Sequence, residues 1–289
     1  MLHEATIISK SPIQKSILPI YFDWKQVFLP HALFRLNTIF RLNTMKKLAF
    51  LACLLPILWA ACSSTATTRK ESGEWAKVPE ILKNIVPPTF PDSIYDVTAY
   101  GAKSDTSFDS RPAILEAINQ CNTNGGGTVL IPAGNYFSKG TILLKSNVNL
   151  HVADGARLEF STVASDYLPM VLTKWEGTEC FNYSPFIYAY QCTNVALTGK
   201  GTIDGNGAVT FNGWHALQGP ALDRLRQMGI DSIPVYERVF GEGYYLRPCM
   251  IQFYGCKNVL VEDVQIYDSP FWIIHPVFCD NVTVRNVYI

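Results

Sequence analysis

The sequence has no excess of charge of either sign, because Lys plus Arg and Asp plus Glu number 24 each among its 289 residues. A balanced chain has no global field to attract nucleic acid or an anionic membrane surface, so we expect no nucleic-acid partner. With 48% hydrophobic and 17% charged residues, the composition also excludes wholesale disorder. Any acidic ligand must therefore be met by local positive charges.

Metal-binding patterns are equally scarce. None of the eight cysteines forms a C-x-x-C pair, and Cys249 and Cys256 have no paired histidines nearby, which argues against a zinc site. No cluster of aspartates falls on a strand face, which argues against a calcium site. We therefore expect no metal and no cofactor, and we expect the cysteines of the folded region to pack as free thiols.

The apolar run from Leu48 to Trp59 is too short to span a bilayer comfortably. It follows two lysines and precedes the small pair Ala60 and Ala61, so residues 45–62 have the build of a secretory signal peptide. Cys62 directly after the small pair resembles the lipobox of bacterial lipoproteins, although a Trp stands where Leu is usual. The pattern predicts lipidation at Cys62 and a place in the bacterial cell envelope, anchored in the outer membrane or secreted to the periplasm.

These features divide the chain. If Met45 is the true start, residues 1–44, with the tandem FRLNTIFRLNT, are translated upstream sequence. Residues 63–92 are rich in Ser, Thr, Lys, Glu and Pro, which is typical of a tether. We predict a folded domain over 93–289, with an insertion at 206–247.

A repeated Asn-Val pair marks the folded region, at Asn147, Asn194, Asn258 and Asn281. The last two are 23 residues apart, and we interpret the 47 residues between the first two as two repeats of that length. The interval of 64 between Asn194 and Asn258 then equals one repeat plus the insertion. A period in the low twenties with short β-branched strands and no leucine lattice predicts a right-handed parallel β-helix. Asn suits each turn because it tolerates left-handed backbone and stacks as a hydrogen-bonded ladder.

This register makes specific predictions. Cys192, Cys256 and Cys279 each precede the Asn by two residues and should form one buried column. Glu262 should lie beside Arg285 on the outer face, a pair worth about 0.2–1 kcal/mol. The same register places apolar residues inward over those of the next coil: Val259, Val261, Val264 and Ile266 over Val282, Val284, Val287 and Ile289.

A helix should cover the open end of the solenoid. In DSRPAILEAINQCN, Asp109 or Ser110 can cap a helix with one apolar face. That face is formed by Ala113, Ile114, Ala117, Ile118 and Cys121.

Three stretches resemble one family. The opening YDVTAYGAKSDTSFDSRPAILEAINQC resembles that of the pectinase-type β-helix proteins. GKGTIDGNG at 199–207 with Trp214, and the segment at 247–287 containing SPFWIIHP, resemble glycoside hydrolase family 28, the polygalacturonases and their relatives. The resemblance covers about residues 94–289. It implies inverting hydrolysis of galacturonic-acid linkages, a pectic polysaccharide or oligogalacturonide as partner, no cofactor, and a monomer touching membrane only through a lipid anchor.

The family carries its catalytic aspartates in N-T-D and D-D motifs, followed by H-G and R-x-K motifs, and none of the four occurs in this sequence. Asp204, Asp263 and Asp268 are predicted to serve turns instead. We therefore expect this chain to be the N-terminal portion of such an enzyme, without a catalytic residue of its own and inactive alone. The alternative is a non-catalytic carbohydrate-binding β-helix.

The insertion and the strand ends supply the candidate binding residues. Loops of this size on a rigid scaffold usually serve binding, and an insertion that narrows a cleft suits an end-cutting enzyme. Arg247 and His275 are candidates to meet a uronate carboxylate through charge-assisted hydrogen bonds. For every candidate the alternative is ordinary packing. The aromatic residues that we predict to stack on sugar rings are Trp214, Tyr244, Tyr245 and Trp272.

Overall fold

The computed structural model describes residues 73–289, so the predictions for residues 1–44, for the signal peptide and for Cys62 lie outside the described residues. Within the described range, no helix combines the length and apolar character needed to cross a bilayer. The first α-helix of the described residues, α1, spans Val78–Asn84. The first strand begins at Ile94.

Three parallel sheets form the walls of the solenoid. Sheet A contains, in spatial order, β1 (Ile94–Asp96), β2 (Gly127–Ile131), β5 (Val148–Val152), β10 (Thr193–Thr198), β13 (Lys257–Glu262) and β16 (Asp280–Arg285). Sheet B contains β3 (Gly134–Ser138), β6 (Ala156–Phe160), β11 (Thr202–Asp204) and β14 (Gln265–Tyr267). Sheet C contains β4 (Ile142–Leu143), β9 (Ile187–Tyr190), β12 (Ile251–Tyr254) and β15 (Ile274–Val277). A separate antiparallel hairpin consists of β7 (Val171–Trp175) and β8 (Thr178–Asn182).

The asparagine ladder is present as predicted. Asn194 donates to Asn147 at 3.1 Å, Asn258 to Asn194 at 2.9 Å, and Asn281 to Asn258 at 2.9 Å. All four residues have left-handed backbone, with φ between 52° and 62°. The all-β parallel β-helix predicted from the sequence is thereby confirmed.

One part of the predicted period is wrong. The 47 residues from Asn147 to Asn194 form a single coil, because β5 pairs directly with β10, with Val148 opposite Val195. The extra residues include the β7–β8 hairpin, which leaves the solenoid wall and returns to it. A residue count cannot distinguish two coils from one coil with an excursion of equal length. The interval from Asn194 to Asn258 is one coil plus an insertion, as predicted, since β10 pairs with β13.

The predicted register of the last two sheet A strands is confirmed. Val259 lies opposite Val282, and Arg285 Nε donates to Glu262 Oε1 at 2.6 Å. In the column of cysteines, Cys256 and Cys279 donate to carbonyl groups of the coil below, and every cysteine from residue 121 to 279 is a free thiol. In the last described coil Val282 and Val287 pack against the core, whereas Val284 and Ile289 are exposed.

The end-covering helix is α2, Arg111–Thr123. Asp109 is the residue that caps it, because its Oδ1 accepts from Arg111 N at 3.0 Å, whereas the Ser110 side chain makes no cap hydrogen bond. The five apolar residues predicted for its inner face are all buried: Ala113, Ile114, Ala117, Ile118 and Cys121.

Asn258 occupies the middle of the ladder and offers a test of what the ladder contributes. We expect Asn258→Ala to lower the free energy of unfolding by about 2 kcal/mol. The variant loses the side-chain hydrogen bonds to both neighbouring coils, and alanine at φ 55° has no polar side chain to offset the strain of left-handed backbone. Asn258→Gly should recover part of this loss, since glycine tolerates positive φ. Denaturant titration measures both values, and a glycine variant no more stable than the alanine variant would contradict the strain component.

Candidate functional site

The β7–β8 hairpin crosses the outer face of sheet C. Tyr188 of β9 donates its hydroxyl to the carbonyl of Leu172 at 2.6 Å. One residue further along β7, Thr173 Oγ1 donates to Gln252 Oε1 of β12 at 2.7 Å. Strand β7 therefore climbs from one coil to the next and divides the outer face of sheet C into two areas.

On the side of β4 and β9, the hairpin and sheet C enclose an open apolar groove of about 520 Å³. Its one charged lining residue is Lys145. The other lining residues are Leu143, Leu144, Val171, Leu172, Phe181, Tyr188 and Tyr190.

On the side of β15 lies a smaller cavity of about 240 Å³, which we call the Trp272–His275 cavity. It joins a cation, an imidazole and two aromatic rings in one recess. Its lining residues are Lys174, Gly177, Trp272, His275, Pro276, Val277 and Phe278.

His275 is buried at the base of this cavity, with 7% of its surface exposed. Its Nδ1 lies 2.9 Å from Gln252 Nε2 and 3.3 Å from Cys249 Sγ. Burial, together with the nearby charge of Lys174, lowers the pKa of His275 to about 4. His275 is therefore neutral near pH 7, and the charge-assisted bond expected from the sequence is disfavoured because it would require a buried imidazolium.

Lys174 supplies the positive charge of the cavity. Its Nζ lies 4.6 Å from the centre of the Phe278 ring, and the side chain comes from β7 of the hairpin. Lys174 was not predicted as a site residue, because the 47-residue interval that contains it has the length of two regular coils. The signal that indicates a hairpin is the pair VLTKW and TECFN, two alternating runs joined by Glu176 and Gly177.

Trp272 is an exposed aromatic residue beside His275. The indole is 41% exposed and stacks on Phe271, with 5.5 Å between ring centres. Its contact with His275 is edge-to-face, at 4.3 Å. An indole held in this way is a rigid platform for the apolar face of a sugar ring.

Arg247 does not line the cavity. Its guanidinium lies 4.7 Å from the Phe271 ring centre and donates to Gln218 Oε1 at 3.1 Å and to the Pro270 carbonyl at 3.3 Å. These contacts connect the insertion to the segment that precedes β15.

The insertion aromatics also lie apart from the cavity. Trp214 packs edge-to-face against Phe211 and Tyr245, with ring centres 5.1 and 5.6 Å apart, in the 3₁₀ helix Phe211–Ala216. Tyr244 packs on Phe240 and accepts from Arg224. The helix predicted at GPALDRLRQMG is α3, Gly219–Ile230.

The aspartates considered from the sequence serve turns. Asp204 Oδ1 accepts from the backbone of Asn206 at 2.9 Å, and its carboxylate is also paired with Arg157. Asp263 and Asp268 have left-handed backbone, with φ of 65° and 49°. Across residues 73–289, no group of three or more His, Cys, Asp or Glu side chains has a metal-binding arrangement.

The lowered pKa of His275 makes stability depend on pH. Between pH 6.5 and about 4 the unfolded chain binds a proton at this residue that the folded chain does not, so the free energy of unfolding falls as pH is lowered through this window. The contribution reaches about 3 kcal/mol at the acid end. We expect His275→Gln to flatten the measured pH profile relative to the exposed control His215→Gln, whereas parallel profiles would contradict a buried neutral His275.

Comparison with known proteins finds one matching family model and several similar structures and relatives. Residues 94–161 match the family model described as Rhamnogalacturonase A/epimerase, pectate lyase-like. The structure of a hyperthermoactive exopolygalacturonase from Thermotoga maritima superposes with a TM-score of 0.69 and 40% identity, over 72% of this chain and 49% of that chain. These matches support a polygalacturonase-like family, glycoside hydrolase family 28, for this chain.

Two other relatives of this polygalacturonase-like chain have names that describe different activities. The exo-poly-alpha-D-galacturonosidase of Dickeya chrysanthemi is 33% identical over 122 residues, which is 39% of this chain and 20% of that protein. The plasmin and fibronectin-binding protein A of Streptococcus pneumoniae is 28% identical over 215 residues, which is 69% of this chain and 27% of that protein. The chain thus spans about half the length of the Thermotoga enzyme and a smaller share of the other two.

Proposed function

We propose that this polygalacturonase-like chain forms a substrate-binding part of a glycoside hydrolase that cleaves galacturonic-acid linkages in pectic polysaccharide, with inversion. The observation that carries the proposal is the Trp272–His275 cavity, which is lined together by the cationic Lys174, the exposed Trp272 indole and the buried His275 imidazole. A galacturonate residue has one carboxylate, several hydroxyl groups and an apolar ring face. Each of these features meets a matching group in the cavity.

The part assigned to this chain is binding. Inverting hydrolysis requires two carboxyl groups held about 6.5 to 9.5 Å apart across the scissile bond. The cavity lining contains no acidic residue, and the N-T-D and D-D motifs are absent from the sequence. We therefore expect the 289-residue chain to bind pectic oligosaccharide without hydrolysing it.

We also propose that the sugar chain is bound by its end. The support is the β7–β8 hairpin, which blocks the outer face of sheet C on the β9 and β12 side of the cavity. A polymer lying along the solenoid axis cannot pass through this wall. The Thermotoga and Dickeya relatives carry exo-acting names, which agrees with end-wise binding.

The test is calorimetric titration of the full chain with galacturonate oligomers and polymers of increasing length, and with neutral galactotriose as the control. End-wise binding predicts a dissociation constant per molecule that stays constant above the length that fills the cavity. Binding along the chain interior predicts a constant that falls with length, because each molecule offers more sites. Equal affinity for trigalacturonate and galactotriose would contradict recognition of the carboxylate.

We propose that Cys62 carries a lipid and anchors a monomeric protein in the bacterial cell envelope. The support is the arrangement of two lysines, a short apolar run and two alanines before Cys62. Metabolic labelling with a fatty acid in a bacterial host should mark the wild type and not Cys62→Ala. Labelling of both, or of neither, would contradict the proposal.

The alternative function is that of a non-catalytic carbohydrate-binding β-helix protein. Both functions use the Trp272–His275 cavity for binding, but the alternative predicts that the native protein does not cleave the polysaccharide. Incubating the native protein purified from its own source with polygalacturonate and assaying reducing ends separates the two.

A further inference from the structure

A chain of buried polar groups connects the hairpin to His275. Thr173 Oγ1 donates to Gln252 Oε1 at 2.7 Å, and Gln252 Nε2 lies 2.9 Å from His275 Nδ1. Gln252 is fully buried and Thr173 is 3% exposed, so neither group has water to pair with instead. This series of hydrogen-bonded groups begins on β7 and ends at the base of the Trp272–His275 cavity.

We infer that Gln252, oriented by Thr173, is a positioning residue that fixes His275 as the neutral tautomer with its proton on Nε2, so that His275 offers the ligand a hydrogen-bond donor. The inference rests on the proposed function for its ligand, a galacturonate oligosaccharide. It assigns no catalytic role to His275.

The orientation of Gln252 follows from the donors and acceptors. If its carbonyl oxygen accepts from the Thr173 hydroxyl, its amide N–H groups face His275, and Nδ1 must then be the unprotonated nitrogen. Cys249 Sγ lies 3.3 Å from the same nitrogen, and burial raises the pKa of this thiol, so it remains S–H and is a second donor to Nδ1. Two donors converge on Nδ1, which leaves the proton on Nε2.

The other nitrogen is left for the ligand. Among residues 73–289, no group forms a hydrogen bond with His275 Nε2. This nitrogen is not fully buried, so a ligand in the cavity can reach it. Because burial lowers the pKa of His275 to about 4, the ring is neutral at neutral pH in the protein without ligand. A neutral N–H beside the Lys174 ammonium suits a carboxylate or a hydroxyl oxygen as acceptor.

The tautomer is measured directly by long-range ¹H–¹⁵N correlation spectra of the ¹⁵N-histidine-labelled full chain, with His275 assigned from His275→Gln. Without ligand, we expect the pattern of the Nε2–H tautomer. Thr173→Val, which removes the hydroxyl and keeps the shape, should give a mixture of tautomers, whereas Thr173→Ser should retain the wild-type pattern. Gln252→Glu should move the proton to Nδ1, because a carboxylate at that place can only accept.

Ligand binding supplies the second measurement. If His275 donates to the sugar, Thr173→Val should weaken trigalacturonate binding about two- to tenfold, the effect of one hydrogen bond, and Thr173→Ser should restore it. An Nδ1–H pattern in the wild type, or the wild-type pattern in Thr173→Val, would overturn the inference. The tautomer spectra need no ligand, so failure of the chain to bind trigalacturonate would count against the proposed function and leave the tautomer assignment to be decided by the spectra.

Discussion

Replacing Lys174 by glutamine is expected to weaken trigalacturonate binding about 10- to 100-fold, as measured by calorimetric titration at low salt. Lys174 is the only cationic residue that lines the Trp272–His275 cavity in the described part of the chain. A hydrogen bond to a charged group contributes about 1.5–3 kcal/mol, which gives this range. Glutamine retains hydrogen-bonding capacity and similar length, so the loss reports mainly on charge.

The hairpin provides a matched control. Lys145 lines the apolar groove on the opposite side of the hairpin, and Lys145→Gln removes the same charge from the same protein. We expect this variant to bind trigalacturonate as the wild type does. Equal weakening by both substitutions would indicate a diffuse charge effect, and no weakening by Lys174→Gln would remove Lys174 from the site.

The Phe186→Ala substitution is expected to lower the free energy of unfolding by about 3–5 kcal/mol. Phe186 is fully buried, and its ring centre lies 4.2 Å from that of Tyr167, 5.2 Å from that of Phe160 and 5.5 Å from that of Phe211. Phe211 belongs to the insertion, whereas Phe160 ends a strand of sheet B. Removing the ring therefore opens a cavity where three segments meet.

Denaturant titration measures this loss. Tyr236→Ala is the control, because Tyr236 is 71% exposed and its truncation should change stability by less than about 0.5 kcal/mol. A loss for Phe186→Ala as small as that of the control would show that the cluster does not hold the insertion to the solenoid.

The solenoid could be predicted because its physical requirement recurs in every coil. Each turn needs a residue that tolerates left-handed backbone and that can bond to its copy above, so Asn147, Asn194, Asn258 and Asn281 reveal the register directly. Sheet pairing then follows residue by residue, as in the pair Glu262 and Arg285. Helix α2 was predictable for a similar reason, since its buried face has a helical period.

The site was harder to predict because excursions from the solenoid obey no period. The β7–β8 hairpin was hidden by a segment length equal to two coils, and Lys174 was hidden with it. Trp214, Tyr245 and Arg247 were proposed as binding residues because they are aromatic or cationic. Residue type alone does not distinguish a side chain that faces a cavity from one that packs inward. Trp272 and His275 were proposed on the same grounds of residue type, and of these candidates they are the ones that line the cavity in the described part of the chain.

The most direct test of the account is the crystal structure of the full chain bound to trigalacturonate. We expect the sugar in the Trp272–His275 cavity, with a ring against the Trp272 indole, a carboxylate at Lys174 Nζ and an oxygen within hydrogen-bonding distance of His275 Nε2. The end of the oligosaccharide should abut the β7–β8 hairpin. A sugar bound in the groove beside Lys145, or on the outer face of sheet A, would contradict the assignment of this cavity as the pectic site.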